Sequence, residues 1–156
     1  MGLCGANGQG KTNLLDAIYY LCVTRSYFSR SDASSVQTGS QGFRLEGDWL
    51  KNQENNKIVC IVRENGKKEL LIDGEICPRF SGHIGRFPVV FIAPDDVELI
   101  TGASEERRRF MDTLFSQLDP DYLKTLIRYN KILQERNSFL KQASDSPYVD
   151  MGLLDV

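Results

Sequence analysis

Eight consecutive residues, Gly5-Ala6-Asn7-Gly8-Gln9-Gly10-Lys11-Thr12, constrain this chain more than any other stretch. They match G-x-x-x-x-G-K-[ST] without a gap, the pattern of a phosphate-binding loop. Glycines at three of six positions let the backbone curl so that successive N–H groups point at phosphate oxygens, an approach that Cβ atoms would obstruct. The pattern opens a helix, whose N-terminus favours anions. In such a loop Lys11 reaches the β- and γ-phosphates as a point charge. The Thr12 hydroxyl supplies one oxygen to a Mg²⁺ shell otherwise made of phosphate and water. Gly5, Ala6, Asn7, Gly8, Gln9, Gly10, Lys11 and Thr12 are thus the candidate nucleotide-binding residues, and Thr12 the candidate magnesium ligand. The competing reading, a chance match in a glycine-rich turn, is decided by context: a strand must precede the loop and a helix must follow it.

The helix is legible. Leu14, Ala17, Ile18 and Leu21 fall at i, i+3, i+4 and i+7, flanked by Leu15, Tyr19 and Cys22, and predict one buried stripe. The strand is a stub, because only Met1-Gly2-Leu3-Cys4 precede Gly5. The expectation is a fragment that lacks its natural beginning.

From Arg25 to Gly42 the composition turns to Ser, Asp, Gln, Thr and Gly and reads as an exposed connection carrying Arg25 and Arg30, which are either solvated or phosphate-contacting. Phe43, Leu45 and Trp49 then alternate with Arg44, Glu46 and Asp48 as a half-buried strand. A polar turn is expected over 53–56, followed by the apolar run Ile58–Val62. Asn65-Gly66 and Asp73-Gly74 bracket Leu70-Leu71-Ile72 as hairpin turns. Strands in succession without helices predict an antiparallel sheet. His83, between two glycines and without an acidic or cysteine partner nearby, reads as a surface or hinge residue. Pro88–Ile92 is a continuous apolar run that predicts a strand buried on both faces, beside the strand of the phosphate loop.

Beyond it, Asp95 and Asp96 open a short apolar segment that stops at Thr101-Gly102. Ser104 is expected to cap a helix whose buried face is Phe110, Met111, Leu114, Phe115 and Leu118. Asp119-Pro120 starts a long helix reaching about Ala143, and the tight joint predicts an antiparallel helix pair. Ser144 to Pro147 breaks the pattern, and 150–156 reads as the cut beginning of another helix. Residues 1–100 form a partial nucleotide-binding lobe, 101–144 the start of a helical lobe, and 145–156 a truncated tail leading to a missing C-terminal part.

Bulk properties exclude several classes. A chain of 156 residues, 26% charged and 41% hydrophobic, is an ordinary globular domain. It buries about two thirds of its unfolded surface. The net charge of −2 does not announce nucleic-acid binding, although a local basic patch would suffice for it. Cys4, Cys22, Cys60 and Cys77 are scattered, which fits reduced thiols in a cytoplasmic protein rather than zinc or disulfides. No apolar run reaches membrane length, no signal peptide is evident, and the expected location is the cytoplasm.

Two separated stretches resemble the RecF family, ATPases of DNA replication and repair related to the heads of ABC and SMC proteins. One is Gly5 through Thr12 continued by Asn13-Leu14-Leu15-Asp16-Ala17-Ile18-Tyr19. The other runs from Pro94-Asp95 through Gly102 to Arg107-Arg108-Arg109-Phe110-Met111-Asp112. It departs from the family at Ser104, where proline is usual. Tyr129 to Lys141, with Asn137, also resembles the family's long helix. The fold class implied is α/β with α+β character: a partial P-loop NTPase of the ABC/SMC-head type with an antiparallel β subdomain and a helical lobe. The resemblance implies ATP and Mg²⁺ as cofactors, an ATP-dependent homodimer of the intact protein, and DNA at gapped or single-strand/double-strand junctions as a partner. It also implies RecO and RecR as partners in loading a recombinase, and no membrane.

The Walker B acidic pair and the signature motif of such ATPases are absent from these residues, so weak nucleotide binding without turnover is expected. By spacing alone the Arg107–Arg109 run is a solvated helix face balanced by Glu105 and Glu106. The resemblance implies that Arg107 or Arg108 belongs to communication between nucleotide site and helical lobe. Competing readings are an ATP-binding subunit of another ABC-type ATPase, either transporter or SMC-like, and a non-catalytic structural fragment. A P-loop small-molecule kinase lacks the βαβ repetition it needs.

Overall fold

The computed structural model describes residues 2–29 and 31–144. Arg30 and the expected helix start in 150–156 lie outside them. Helix α1 (Lys11–Val23) follows the glycine loop. A single 3-10 turn, Asp32–Ser35, interrupts the connection to the sheet. Strands β1 (Gly42–Lys51), β2 (Glu54–Arg63), β3 (Lys68–Ile72) and β4 (Glu75–Ile76) form an antiparallel meander in chain order. Helices α2 (Glu98–Thr101), α3 (Ser104–Leu118) and α4 (Pro120–Ser144) complete the chain. No helix among the described residues is long and apolar enough to cross a membrane.

Local backbone chemistry sets the sheet register. The first hairpin turns at Asn52 and Gln53, both at positive φ (53° and 68°), two residues ahead of the expected 53–56 turn. That tight turn suits the right-handed twist of its strands. It lets the ladder run unbroken from Gly42↔Arg63 to Lys51↔Glu54, which draws Glu54, Asn55 and Asn56 into β2. The second hairpin closes through Gly66 at φ 76°, with Gly66 N–H donating to the Arg63 carbonyl at 2.9 Å. Asp73 and Gly74 make the third turn, and Asp73 Oδ1 accepts from Lys57 N–H at 2.7 Å.

Ile58, Cys60 and Val62 project from one face of β2, opposite Leu70 and Ile72 of β3, and all five are buried. Each large aliphatic side chain among them contributes about 1.5–3 kcal/mol by burial. The C-terminal half of α1 lies on this face. Tyr20 meets Phe43 edge-on at 5.4 Å, while Tyr19 meets Phe91 at 5.7 Å on the opposite side, so Tyr19 through Val23 are buried all round. Covered on one side by the sheet and on the other by the 27–28 and 89–91 segments, these five form the helix's buried surface. The expected stripe is therefore corrected: Leu21 is buried, but Leu14, Leu15 and Ile18 are exposed, because the first two turns project past the sheet.

Two further expectations change. His83 is not on the surface but fully buried at 0% exposure, against Phe87 and α1. Pro88–Ala93 is extended without a ladder partner among the described residues, and it is covered on one side only. Val89 and Phe91 are half-buried, whereas Val90 and Ile92 are 62% and 74% exposed. The Gln117 side-chain amide takes the place of a neighbouring strand, accepting from Val89 N–H at 2.8 Å and donating to its carbonyl at 3.0 Å.

In the helical part, α3 begins at Ser104 itself with Ala103 at the cap position. Ser104 is thus one residue too late to cap, and its hydroxyl accepts from Arg108 at 3.4 Å instead. Phe110 and Leu114 are half-buried, but Met111, Phe115 and Leu118 are exposed, since the covered side of α3 is the one that Phe110 and Leu114 share with Thr113 and Gln117, beside the buried Ser116. The expected cap at α4 is present: Asp119 Oδ1 accepts from Asp121 N–H at 2.8 Å. Tyr122 folds α4 back on α3, donating to Asp112 at 2.5 Å and meeting the Phe115 ring at 5.5 Å.

Candidate functional site

The glycine loop stands at the surface ahead of α1. Gly8 and Gly10 both adopt φ 80°, which L side chains rarely adopt, and nothing lies within 4 Å of where their Cβ atoms would be. Glycine is required there by conformation, and the space in front of the loop is open to a ligand. Gly10 caps α1, and its carbonyl accepts the first intrahelical bond from Leu14 N–H at 2.9 Å. The first turn of α1 carries no acidic residue, so nothing quenches the positive end of its dipole.

Lys11 turns back over the loop. Its Nζ donates to the carbonyls of Gly5 and Ala6, both at 2.7 Å. In this arrangement the ammonium holds the loop closed upon itself with two neutral acceptors. Phosphate oxygens are stronger, charged acceptors that can replace them. Thr12 is exposed on the first turn of α1. The donor set fits a triphosphate: backbone N–H groups, a cation and a helix start. Among the described residues no group of three or more His, Cys, Asp or Glu side chains is placed to hold a metal ion.

Behind the loop, α1 is fixed by groups that sequence spacing did not single out. Asp16 Oδ2 accepts from the Ser26 hydroxyl and Oδ1 from Tyr27 N–H, each at 2.7 Å. Thr24, left-handed at the helix C-cap, donates its N–H to the Tyr20 carbonyl at 2.7 Å. Two of the remaining end carbonyls are satisfied from a distance. His83 Nε2–H donates to the Leu21 oxygen at 2.7 Å, and Lys68 Nζ donates to the Thr24 oxygen at 2.7 Å. Lys68 also pairs with Asp32 at 2.7 Å, and Asp32 accepts from the Tyr20 hydroxyl at 2.5 Å. Burial, then the Asp32 hydrogen bond, pushes the Tyr20 phenol well above its ordinary range. A cation at this end complements the negative pole of α1.

The connection after α1 is more than an exposed loop. Tyr27 donates to Asp96, which also accepts from Ala93 N–H at 2.5 Å, and the Tyr27 ring lies 4.6 Å from that of Phe91. Arg25 Nη2 donates to Thr113 Oγ1 on α3 at 3.1 Å. A cavity of about 490 Å³ opens between this connection, the 89–91 segment and α3, with Tyr19, Tyr27, Phe91 and Thr113 in its walls. It shares no lining residue with the glycine loop.

Of the three consecutive arginines, Arg107 donates to the carbonyls of Gly102 at 2.9 Å and Leu99 at 3.4 Å, and Arg108 bonds to Ser104. Arg109 pairs with Glu105 and Glu106. The cysteines are unpaired: Cys22 and Cys60 are buried, and burial pushes both thiols up to about 11.

No family model matches the chain. It is 46% identical over 151 residues to the DNA replication and repair protein RecF of Cytophaga hutchinsonii, covering 97% of this chain and 40% of that protein. With RecF of Porphyromonas gingivalis the identity is 44% over 155 residues, covering 99% and 42%. The chain thus spans about two fifths of the length of these curated relatives. A solved structure of the recombination mediator protein RecF with ATP superposes at a TM-score of 0.84 and 29% identity, covering 96% of this chain and 42% of that one. A solved SMC ATPase shares the fold at a TM-score of 0.54 and 18% identity, covering 72% and 82%. The α/β architecture with its antiparallel meander is therefore that of RecF and SMC ATPase heads. The glycine loop and the arginine segment lie within this likeness, which runs along nearly the whole chain and makes it similar to about two fifths of a RecF protein.

Proposed function

We propose that this chain is the ATP-binding part of a RecF-type, ATP-switched DNA-binding protein of recombinational repair and replication. Residues 1–100 serve as the nucleotide lobe and 101–144 as the start of the helical lobe, with 145–156 leading onward. Gly5 to Gly10 wrap the phosphates through backbone N–H groups, Lys11 leaves the Gly5 and Ala6 carbonyls for phosphate oxygens, and Thr12 gives Mg²⁺ one oxygen. The metal would offset the charge of the triphosphate. The observation that carries this reading is the Lys11 ammonium held by two loop carbonyls, 2.7 Å each, on a solvent-exposed glycine loop.

The loop supplies a cradle and one metal oxygen but no group to orient water, so the 156-residue chain binds nucleotide without appreciable turnover. In the longer protein, binding at this loop favours a dimeric state, and hydrolysis releases it. By kinship with RecF, that protein acts in the cytoplasm at gapped or single-strand/double-strand DNA junctions, together with RecO and RecR. The direct experiment is a titration with a fluorescent ATP analogue and Mg²⁺. Saturable binding is expected, lost in Lys11→Ala, with ATP hydrolysis at background for both. Equal affinity in Lys11→Ala would overturn the assignment of the loop.

A further inference from the structure

Helix α1 joins two features that lie on different parts of the molecule. At its start Lys11 is bound by the loop's own carbonyls, a closed arrangement that a phosphate ligand must open. One residue past its C-cap, Arg25 reaches Thr113 on α3. Among the described residues no carboxylate pairs with the Arg25 guanidinium, and the Thr113 hydroxyl is its one hydrogen-bond acceptor on α3.

The surroundings make this bond a tie across a seam. Lys68 and His83 fasten the end of α1 to the sheet side, so α1 and the meander form one body. On the other side Arg107 fastens α2 to α3 through the Leu99 and Gly102 carbonyls, and Tyr122 fastens α4 to α3. Between the two bodies lies the cavity of about 490 Å³, bridged on one side by Arg25 and Thr113 and on the other by the two Gln117–Val89 bonds. A seam close-packed throughout would resist displacement; this one is close-packed where Gly85 meets the Gln117 backbone and hollow at the cavity, so it can shift about that contact.

We propose that Arg25 is a positioning residue that ties α1 to the α3–α4 hairpin, so that the open or closed state of the loop at Lys11 is transmitted to α3 through Thr113. The proposal rests on nucleotide binding at the loop. It moves the link to the helical part from Arg107 and Arg108, which bind within their own segment, to the residue that follows α1. The loop supplies the two-state element that such coupling needs.

Hydrogen exchange of the 156-residue chain with and without a non-hydrolysable MgATP analogue tests it, with affinity titrated in parallel. Nucleotide is expected to slow exchange in α3 by roughly threefold, the size suited to an exposed charge-assisted bond. Thr113→Val should abolish that slowing while affinity stays within about twofold. Thr113→Ser, which keeps the hydroxyl, should restore it. Arg25→Gln should lose it as well, which covers the case of a poorly folded valine variant. Slowing that persists in both Thr113→Val and Arg25→Gln overturns the tie. Binding without any slowing in the parent chain overturns the coupling alone, and absence of binding in the parent chain overturns both the coupling and the nucleotide reading on which it rests.

Discussion

Lys68 on β3 donates to the main-chain oxygen of Thr24 at 2.7 Å, closing the C-terminus of α1 from across the sheet. The same ammonium pairs with Asp32 and lies 5.1 Å from the Tyr20 ring centre, with its side chain 15% exposed. Replacing it strands an end carbonyl and leaves Asp32 with only the Tyr20 hydroxyl. We expect Lys68→Met to lower the unfolding free energy by about 2 kcal/mol, read from urea titration. A variant within a few tenths of a kcal/mol of the parent would mean that water replaces the ammonium without loss.

His83 makes stability depend on pH near neutrality. Burial holds its imidazole below the ordinary value of 6.5, the Leu21 hydrogen bond works the other way, and Arg86 adds to the lowering. Nε2 is committed to Leu21, and Nδ1 is buried without a hydrogen-bond partner among the described residues. Between the lowered folded value and 6.5 the unfolded chain binds more protons, so folding is disfavoured as pH falls through that window. Above 6.5 the contribution is fully present. The urea midpoint should fall between pH 7.5 and 5.5 and change less in His83→Gln. The lowered carboxyls of Glu46, Glu69 and Asp121 act in a separate window below about 4.5.

What could be read from the residues was chiefly what local chemistry dictates. Gly5 to Thr12 is a contiguous pattern, and Gly66, Asp73 and Gly74 have the turn chemistry their φ values need, so loop and hairpins were legible. Burial of α1 was not, because periodicity locates an apolar stripe without saying how far a sheet extends beneath it. Leu14 and Leu21 belong to the same stripe and end in opposite environments. His83 departs from its expected surface position for a similar reason. Its partner is a helix-end carbonyl 62 residues away, invisible to any search for side-chain partners nearby in sequence. Lys68, Asp16 and Gln117 act in the same long-range way. Pro88–Ile92 has strand composition, but composition does not supply the neighbour that would cover its second face.

Gly85 and Gly66 share nearly the same backbone geometry, φ 82° and 76°, in different surroundings. A Cβ at Gly85 would lie 2.2 Å from the Gln117 carbonyl oxygen, whereas at Gly66 it would meet nothing within 4 Å. Gly66→Ala should cost about 1 kcal/mol for the left-handed conformation alone. Gly85→Ala must also push α3 away from the 85–89 segment, and should cost about 3 kcal/mol. Equal losses in thermal or urea unfolding would show that α3 yields freely at that contact.

Cys4 gives a chemical reporter of the loop. It is exposed immediately before Gly5, while Cys22 and Cys60 are buried with their thiols pushed up to about 11. The thiolate is the reactive form, so the two core cysteines are protected both by access and by protonation. In the folded chain an anionic aromatic disulfide reagent at pH 8 should therefore modify Cys4 first, with Cys77 slower and the core pair released only on unfolding. A triphosphate seated on Gly5 to Thr12 crowds that thiol and adds negative charge beside it, which repels an anionic reagent. MgATP should slow Cys4 modification several-fold and leave Cys77 unchanged. The effect should vanish in Lys11→Ala, and a Cys4 rate indifferent to MgATP in a chain that binds the nucleotide would place the ligand away from the loop.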